Sequence, residues 1–270
     1  MERKDGKKEN VGLAMYTIHN SVEKDLCAAF EQAAALGYRG IEFYGAPVFD
    51  KALVREALAA SGLVLTGWHI EWSELQQDTA GRTIEYLNQV GCPLAVVPCL
   101  GGKWNIAHTP AQECEDTWKR HIEWLNRTAA LLAQHGLRTG YHNHEHEFAL
   151  HYGGQPLFDY LFDRLSQEIV MEFDSGNCIE GGGDPLRVIE KYKQRPMILH
   201  LKPYSHTRGF ETTLGAPDDA NDWAKLLAPE NDVFEWRLVE SECTTLPEAE
   251  NARLCMEGLR PYLLTGNSKK

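Results

Sequence analysis

Two histidines lie two residues apart in a stretch that is rich in metal-ligand and proton-transfer groups. Residues 139–148 read TGYHNHEHEF and follow a segment of helical apolar spacing that ends at Gly136. If residues 138–144 form a strand, His142 and His144 share one face, because strand side chains alternate. Two adjacent imidazoles suit a metal ligand beside a proton-transfer group. An isolated pair of this kind is equally typical of a solvated loop, so its interpretation depends on the other strand ends.

Short apolar runs alternate eight times with segments of helical spacing. The predicted strands are residues 11–18, 40–44, 63–69, 94–98, 138–144, 169–174, 197–202 and 234–240. The predicted helices are residues 22–36, 49–60, 78–90, 111–135, 156–165, 184–194, 218–227 and 246–264. This alternation predicts an α/β protein with a parallel sheet. Eight units in 270 residues predict a single (β/α)8 TIM barrel, with a doubly wound open sheet as the alternative. The domain prediction is a disordered leader at 1–10 and one barrel domain at 11–270.

The ends of four consecutive predicted strands carry potential metal ligands. Strand five ends with His142 and His144, strand six with Asp174, strand seven with His200 and strand eight with Glu240. The active site of such a barrel lies at the carboxyl ends of its strands, where these side chains would converge. Nitrogen and oxygen donors suit one divalent ion, namely Mn, Zn, Co or Mg. A single strand-terminal aspartate more often caps the next helix, but four ligands in phase predict a metal site.

The first half of the chain offers candidates for substrate binding. Glu42 and His69 lie near the ends of strands two and three and could bind sugar hydroxyls. Each could equally be a polar strand-end residue with local hydrogen-bond partners. Aromatic residues cluster near the same predicted rim, and an aromatic, acidic rim suits a polyol better than a phosphate. They are Tyr16, Tyr44, Trp68 and Trp72.

The second half adds three basic candidates for substrate binding. Lys202 has the strand parity of His200, so it would point into the barrel. There it would either clamp a substrate oxygen or neutralise Glu172, which needs a partner if it is buried. The loop after strand seven offers His206 and Arg208 for substrate, with a solvated loop as the alternative.

The overall composition limits the classes of molecule that the protein is expected to bind. The net charge of −12 disfavours nucleic acid and anionic membranes, because both are bound through basic surface. Seven cysteines without CxxC spacing predict reduced thiols in a cytoplasmic protein. No apolar run approaches the roughly 18 residues that a membrane span needs. The expected partner is a small sugar or polyol, and the sequence leaves open whether the chain forms a homo-oligomer.

Four motifs at these strand ends resemble the xylose isomerase-like TIM-barrel superfamily, which is the sugar isomerase/epimerase group. They are YHNH at 141–144, FDSGN at 173–177 with GDP at 183–185, LHLK at 199–202, and EWRLVE at 235–240. The resemblance covers residues 11–264. It implies a single-metal enzyme whose ligands are His142, Asp174, His200 and Glu240. It also implies that His144 corresponds to the base of related dehydratases, with Glu240 as the other acid/base candidate.

Two positions depart from the pattern of the epimerases. Many of them carry glutamate where this chain has His142, and a substrate-binding histidine where it has Asn177. Strict ketose epimerisation is therefore in doubt, and lyases related to inosose dehydratases become an alternative.

The leading functional hypothesis is a metal-dependent isomerase or epimerase that acts on a sugar or polyol through a metal-stabilised enediolate. His144 or Glu240 would move the proton. The alternative is a keto-sugar or inosose dehydratase that uses the same site and expels a hydroxyl. An apurinic-site endonuclease and a non-catalytic sugar-binding barrel are further alternatives, disfavoured by the acidic charge and by the intact ligand set respectively.

Overall fold

A closed barrel of eight parallel strands forms the centre of the protein in a computed structural model that describes residues 10–264. The strands are β1 Val11–Ala14, β2 Gly40–Tyr44, β3 Val64–His69, β4 Leu94–Val97, β5 Arg138–His142, β6 Val170–Asp174, β7 Met197–Leu201 and β8 Phe234–Val239. Each strand pairs with its neighbours in chain order, and β8 closes on β1. The predicted single (β/α)8 barrel is confirmed. The predicted leader lies outside the described residues except for Asn10.

Helices follow the strands and surround the barrel. They are α1 His19–Lys24, α2 Leu26–Ala35, α3 Lys51–Ser61, α4 Ala80–Val90, α5 Glu115–Gln134, α6 His146–Ala149, α7 Leu157–Phe162, α8 Ser175–Glu180, α9 Pro185–Tyr192, α10 Trp223–Leu226 and α11 Glu248–Leu264. A two-stranded hairpin, His151–Tyr152 with Gln155–Pro156, lies between α6 and α7. Among the described residues, no helix is both long and apolar enough to span a bilayer.

The barrel interior has an apolar layer beneath a charged layer. The apolar layer is a small cluster separate from the main core, formed by Leu94, Val96, Val170, Ile198 and Leu238. Two residues further along β6 and β7, the same inward face carries Glu172 and His200, both fully buried. The alternation of strand side chains therefore places a charged layer directly above an apolar plug.

Strand register fixes the height of the charged layer. In the sheet, Asp174 is aligned with His200, and His142 is aligned with Glu172. A Cβ atom at Gly67 would lie 3.0 Å from the Glu42 carboxylate, so a glycine at this point of β3 leaves room for that carboxylate. Side chains from five strands thus meet inside one end of the barrel.

The first predicted helix is wrong in its boundaries. Residues 22–36 were expected to form one helix, but α1 begins at His19 and ends at Lys24. Asp25 has an extended backbone and accepts a hydrogen bond from the Ala28 amide, so it caps a second helix, α2. A short side-chain acceptor competes with helix continuation in this way.

Other differences lie near the ends of strands. The expected strands 11–18 and 138–144 end at Ala14 and His142. Two short helices that the sequence did not predict, α6 and α8, follow β5 and β6 closely. The predicted helix at 218–227 is reduced to one turn, α10.

Two helical glycines are expected to respond oppositely to alanine. At Gly258 in α11, an added Cβ would overlap the backbone oxygen of Leu214, whereas nothing lies within 4 Å of the Cβ position at Gly81 in α4. Gly258→Ala should lower the free energy of unfolding by about 1–3 kcal/mol. Gly81→Ala should leave it unchanged or raise it by up to about 1 kcal/mol. Urea unfolding followed by circular dichroism would measure both, and equal stability of the two variants would contradict this packing.

Candidate metal and substrate site

The four strand-end residues singled out in the sequence come together. His142, Asp174, His200 and Glu240 are buried, and one potential ligand atom from each lies within 4.8 Å of the others. The Nδ1 atom of His200 is 2.7 Å from Oε2 of Glu240. The Nε2 atom of His142 is 3.9 Å from Oδ2 of Asp174. Two imidazoles and two carboxylates are therefore close enough together to bind one ion. The ligand roles predicted for them stay a prediction.

The two oxygens of Asp174 have different surroundings. Oδ1 accepts a hydrogen bond of 2.7 Å from the Asn177 amide and so caps α8. Oδ2 is buried and has no hydrogen-bond partner among the described residues. The capping and metal-binding interpretations of this aspartate are thus compatible, because each uses its own oxygen.

An amide clamp holds the ends of β5 and β6 together. The Asn143 side chain donates to the Asp174 carbonyl at 3.1 Å and accepts from the Asp174 amide at 2.9 Å. The Asn177 side chain donates to the Asn143 carbonyl at 3.0 Å. Asn177 therefore binds backbone rather than lining the central cavity. This backbone contact is a structural reason for asparagine at position 177, where many epimerases carry a substrate-binding histidine.

Three charged side chains beneath these four form a group that we call the floor: Glu42, His69 and Glu172. The Nε2 atom of His69 lies 2.6 Å from Glu172 Oε2 and 3.0 Å from Glu42 Oε2. The Nε2 atom of His200 lies 2.9 Å from Glu42 Oε2. Glu42 is thus paired with imidazoles in the barrel interior, although it also borders the central cavity together with His69.

The floor is electrostatically balanced. Burial opposes ionisation of Glu42, yet His69 and His200 hold the pKa of its carboxyl well below its usual range. Burial favours neutral His69, but Glu42 and Glu172 raise its pKa to about 10. These groups act as buried ion pairs whose charges compensate each other.

Asp174 lacks such compensation. Burial raises the pKa of its carboxyl to about 7, and the attraction of Lys202 offsets this only in part. Burial also lowers the pKa of His142 well below its ordinary value, which leaves a neutral imidazole of the kind that binds metals. The Asp174 carboxylate is thus 4.0 Å from the Lys202 ammonium and beside a neutral imidazole, and an added divalent ion would stabilise it further.

A second group that could hold an ion overlaps the first. It consists of His69, His142, Glu172 and His200, and it would use the Nε2 side of His200. Oε2 of Glu172 already lies 2.6 and 3.2 Å from the imidazoles of His69 and His142, whereas Oδ2 of Asp174 is 3.9 Å from the His142 ring and makes no hydrogen bond with the described residues. A metal-bound histidine typically donates its other ring N–H to a carboxylate. The geometry therefore fits an ion on the Nδ1 side of His200, with Glu42 orienting the ring from the other side.

Lys202 has a partner that the sequence did not predict. Its ammonium lies 2.9 Å from Glu240 Oε1 and 2.6 Å from Glu242 Oε1, and it packs 4.6 Å above the Phe210 ring centre. Of the two alternatives, the pairing with Glu172 is not seen, because imidazoles surround that carboxylate; the predicted role in substrate binding stays a prediction. Burial opposes its charge, yet Glu240 raises the pKa of Lys202 above its usual range. The Lys202 ammonium therefore already has two carboxylate partners, Glu240 and Glu242, within the protein.

His144 borders the central cavity beside the strand-end residues. Its ring centre is 5.1 Å from that of His142, and its Nδ1 is buried without a hydrogen-bond partner among the described residues. The backbone amide of His144, not its ring, donates to Glu147. Burial, followed by the positive charge of Lys202, lowers the pKa of His144 well below its ordinary value. The imidazole is therefore a neutral proton acceptor.

The central cavity has a volume of about 200 Å³ and combines aromatic walls with acidic groups. Its mouth includes Tyr16, Tyr44 and Trp104, and Glu71 and Glu242 add carboxylates. Glu242 and Trp104 were missed in the sequence. Glu242 could have been found, because it lies two residues after Glu240 and so has its parity. Trp104 belongs to a loop, for which periodicity gives no signal.

Two predicted substrate-binding residues lie elsewhere. The guanidinium of Arg208 forms two hydrogen bonds with Asp218, at 2.7 and 2.9 Å. His206 is exposed and packs edge-on against Tyr204. Neither residue borders the central cavity. The structure shows them in a local ion pair and a surface contact, and the expectation that they bind substrate stays a prediction.

The protein is thus an α/β barrel with a group of potential metal ligands at the carboxyl ends of β5 to β8. Residues 30–252 match the family model described as "Xylose isomerase-like TIM barrel". The chain belongs to this family, as its strand-end motifs predicted.

Individual relatives carry several activities in their names. An inosose dehydratase from Geobacillus kaustophilus is 25% identical over 245 residues, covering 78% of each chain. An inosose dehydratase from Clostridium perfringens is 26% identical over 197 residues, covering 64% of this chain and 63% of its own length. A solved sugar phosphate isomerase/epimerase from Parabacteroides distasonis is similar in fold, with a TM-score of 0.74, 20% identity and 94% of both chains covered.

The strand-end group is expected to bind about one divalent ion per chain. Asp174→Asn, which keeps the capping oxygen, and His200→Ala should each abolish binding, since each removes one of four donors. Elemental analysis after dialysis against Mn²⁺ or Zn²⁺ would measure the stoichiometry. His135→Ala is the matched control, because His135 is exposed at the end of α5. Full retention of the ion by both site variants would rule out this ligand set.

Proposed function

We propose that this protein is a metal-dependent lyase that removes water from a keto-polyol of the inosose type. The observation that carries the proposal is His144, a neutral imidazole on the central cavity whose buried Nδ1 has no hydrogen-bond partner among the described residues. The names of the curated relatives support the same reaction class.

The residues at the strand ends would position the substrate carbonyl. A divalent ion held by His142, Asp174, His200 and Glu240 would polarise that carbonyl and make the neighbouring C–H more acidic. The donor set of two imidazoles and two carboxylates suits Mn, Zn, Co or Mg. Glu42 keeps the His200 ring oriented through Nε2, at 2.9 Å. The chain thus supplies both the ligands and the carboxylate that holds one of them in place.

His144 would carry the proton. Its neutral ring takes the proton from the carbon next to the carbonyl, and the C–H electron pair forms the new double bond as the β-hydroxyl leaves. The same imidazolium returns the proton to the departing oxygen, which leaves as water. One acid/base group on one face of the substrate is enough for this reaction. Glu240 is a weaker candidate for the base, because both of its oxygens are bound, to His200 and Lys202.

The cavity favours a neutral polyol over a phosphorylated one. No arginine borders it among the described residues, and the nearby Lys202 is already held by Glu240 and Glu242. A phosphate group would face Glu71 and Glu242 without a free cation. The aromatic faces of Tyr16, Tyr44 and Trp104 can instead pack against the C–H groups of a sugar-like ring.

His144→Gln should keep the bound ion and the fold but reduce turnover by about 10²–10⁴-fold, because glutamine cannot accept the proton. The readout is solvent-deuterium incorporation and product formation from a panel of keto-sugars and inososes, followed by mass spectrometry and NMR. The wild-type product should lack one water relative to the substrate. His151→Gln, an exposed histidine in the hairpin, serves as the control. Loss of the ion in His144→Gln would make His144 a ligand instead.

A sugar isomerase or epimerase is the second candidate, and Glu71 favours it. Inversion by two bases needs a second acid/base group, and Glu71 is an exposed carboxylate bordering the cavity. Under the lyase proposal, Glu71→Gln should leave proton exchange within about threefold of wild type, since an exposed carboxylate outside the proton transfer contributes little. A product of unchanged mass, together with loss of activity in Glu71→Gln, would replace the lyase by an isomerase.

A further inference from the structure

A second cavity lies on the outer side of the barrel rim, against α5. We call it the α5 cavity; its volume is about 300 Å³, and its lining includes Trp72, His108, Arg120, His121, Trp124 and Arg127. No aspartate or glutamate lines it among the described residues. In a chain of net charge −12, a cavity lined by two arginines and no acid is an exception to the surrounding charge.

The basic residues occupy one face of α5. Thr117, His121 and Trp124 are spaced by four and three residues, and so are Arg120, Trp124 and Arg127, so all five project from the same side of the helix. The 3₁₀ turn Trp72–Leu75 faces them, with the Trp72 and Trp124 ring centres 6.3 Å apart. The cavity thus combines two guanidinium groups with two indole rings.

Neither guanidinium is neutralised by a close carboxylate. Arg120 donates to the Thr117 hydroxyl at 2.8 Å and forms no salt bridge with the described residues. Arg127 is 3.8 Å from Glu123, and both of these side chains are about 70% exposed, so this pair is weak. The guanidinium groups of Arg120 and Arg127 are therefore both available to bind an oxyanion, for which their planar geometry is well suited.

The wall of the cavity is held in place by hydrogen bonds. His108 is 2.9 Å from Nε2 of His121 on one side and 2.7 Å from Glu113 on the other. Glu113 also accepts from Trp118 and Tyr152, each at 2.6 Å, so its charge is satisfied away from the cavity. Burial, with smaller contributions from His108 and Arg120, lowers the pKa of His121 to about 4. The imidazole is therefore a neutral hydrogen-bonding group, and the positive charge comes from the arginines.

From this arrangement we infer that the α5 cavity is an accessory site for a small organic anion carrying carboxylate or phosphate groups. The two guanidiniums bind the oxyanions, and the indole rings pack against the carbon body of the molecule. The site is distinct from the central cavity but close to it. Glu71 and Ile106 border the central cavity, whereas the next residues, Trp72 and Ala107, border the α5 cavity.

Calorimetric titration of the full chain with citrate and with inorganic phosphate tests this inference. Chelator-treated protein is used, so that no ion in the central site contributes phosphate binding. At least one of the two anions should bind at one site per chain, more weakly as salt is added. Binding of citrate alone would assign a carboxylate ligand, and binding of phosphate alone a phosphate ester. Failure of both anions to bind saturably would overturn the inference.

Substitutions on α5 test whether the anion binds in the α5 cavity. Arg120→Gln with Arg127→Gln should weaken binding by about tenfold or more, because two charge-assisted contacts are lost. Each single variant is measured as well, and circular dichroism reports the fold. Lys119→Gln is the matched control, since Lys119 is on the same helix but pairs with Asp116 and Glu115. Unchanged affinity in the double variant, or an equal loss in the control, would contradict the site.

Discussion

The contact between His200 and the buried carboxylates on both sides of its ring organises the interior of this barrel. Its Nε2 atom faces Glu42 and its Nδ1 atom faces Glu240, at 2.9 and 2.7 Å. Both carboxylates are almost fully buried, and an isolated charge there would cost several kcal/mol. Burial opposes the charge of His200, yet the floor carboxylates raise the pKa of its imidazole well above the ordinary value. One ring therefore links the balanced floor to the strand ends.

The remaining features of the site follow from this arrangement. The floor carboxylates lie close to the imidazoles of His69 and His200, whereas Oδ2 of Asp174 is 3.9 Å from the His142 ring and 4.0 Å from the Lys202 ammonium. Lys202 pairs with Glu240 and Glu242 on the far side, and burial, followed by the charge of Lys202, lowers the pKa of His144, so its imidazole is neutral next to the cavity. In the proposed function, His142 would bind the ion and His144 would move the proton, although the two histidines lie only two residues apart.

Much of the architecture could be predicted from the sequence, because strands and their ends are local features. The predicted strand at 40–44 agrees with the structure, and the strand-end positions of His142, Asp174 and His200 followed from side-chain alternation. The split of the first helix at Asp25 was missed, since a capping aspartate and a helical aspartate look alike in sequence. Local patterns also gave no indication of the short helices at the barrel rim.

The partners of the buried charges could not be derived in the same way. His69 and Glu172 are 103 residues apart, and their contact depends on the register of a closed sheet. Parity placed Lys202 on the inward face but left its partner open between a substrate oxygen and Glu172, and its contacts with Glu240 and Glu242 were not predicted. Parity gives the direction of a side chain but not its height in the barrel. The α5 cavity likewise requires the rim loops to be placed in three dimensions before its charge becomes apparent.

The central claim is that a divalent ion binds on the Nδ1 side of His200 while Glu42 holds its Nε2–H. Nitrogen-15 NMR of histidine-labelled protein with one equivalent of Zn²⁺ tests this directly, with His200→Ala used to assign the signal. The expected result is a metal-bound, unprotonated Nδ1 and an Nε2 that keeps its proton. Loss of the Nε2 proton, with Nδ1 still protonated, would place the ion among the floor residues and contradict the account.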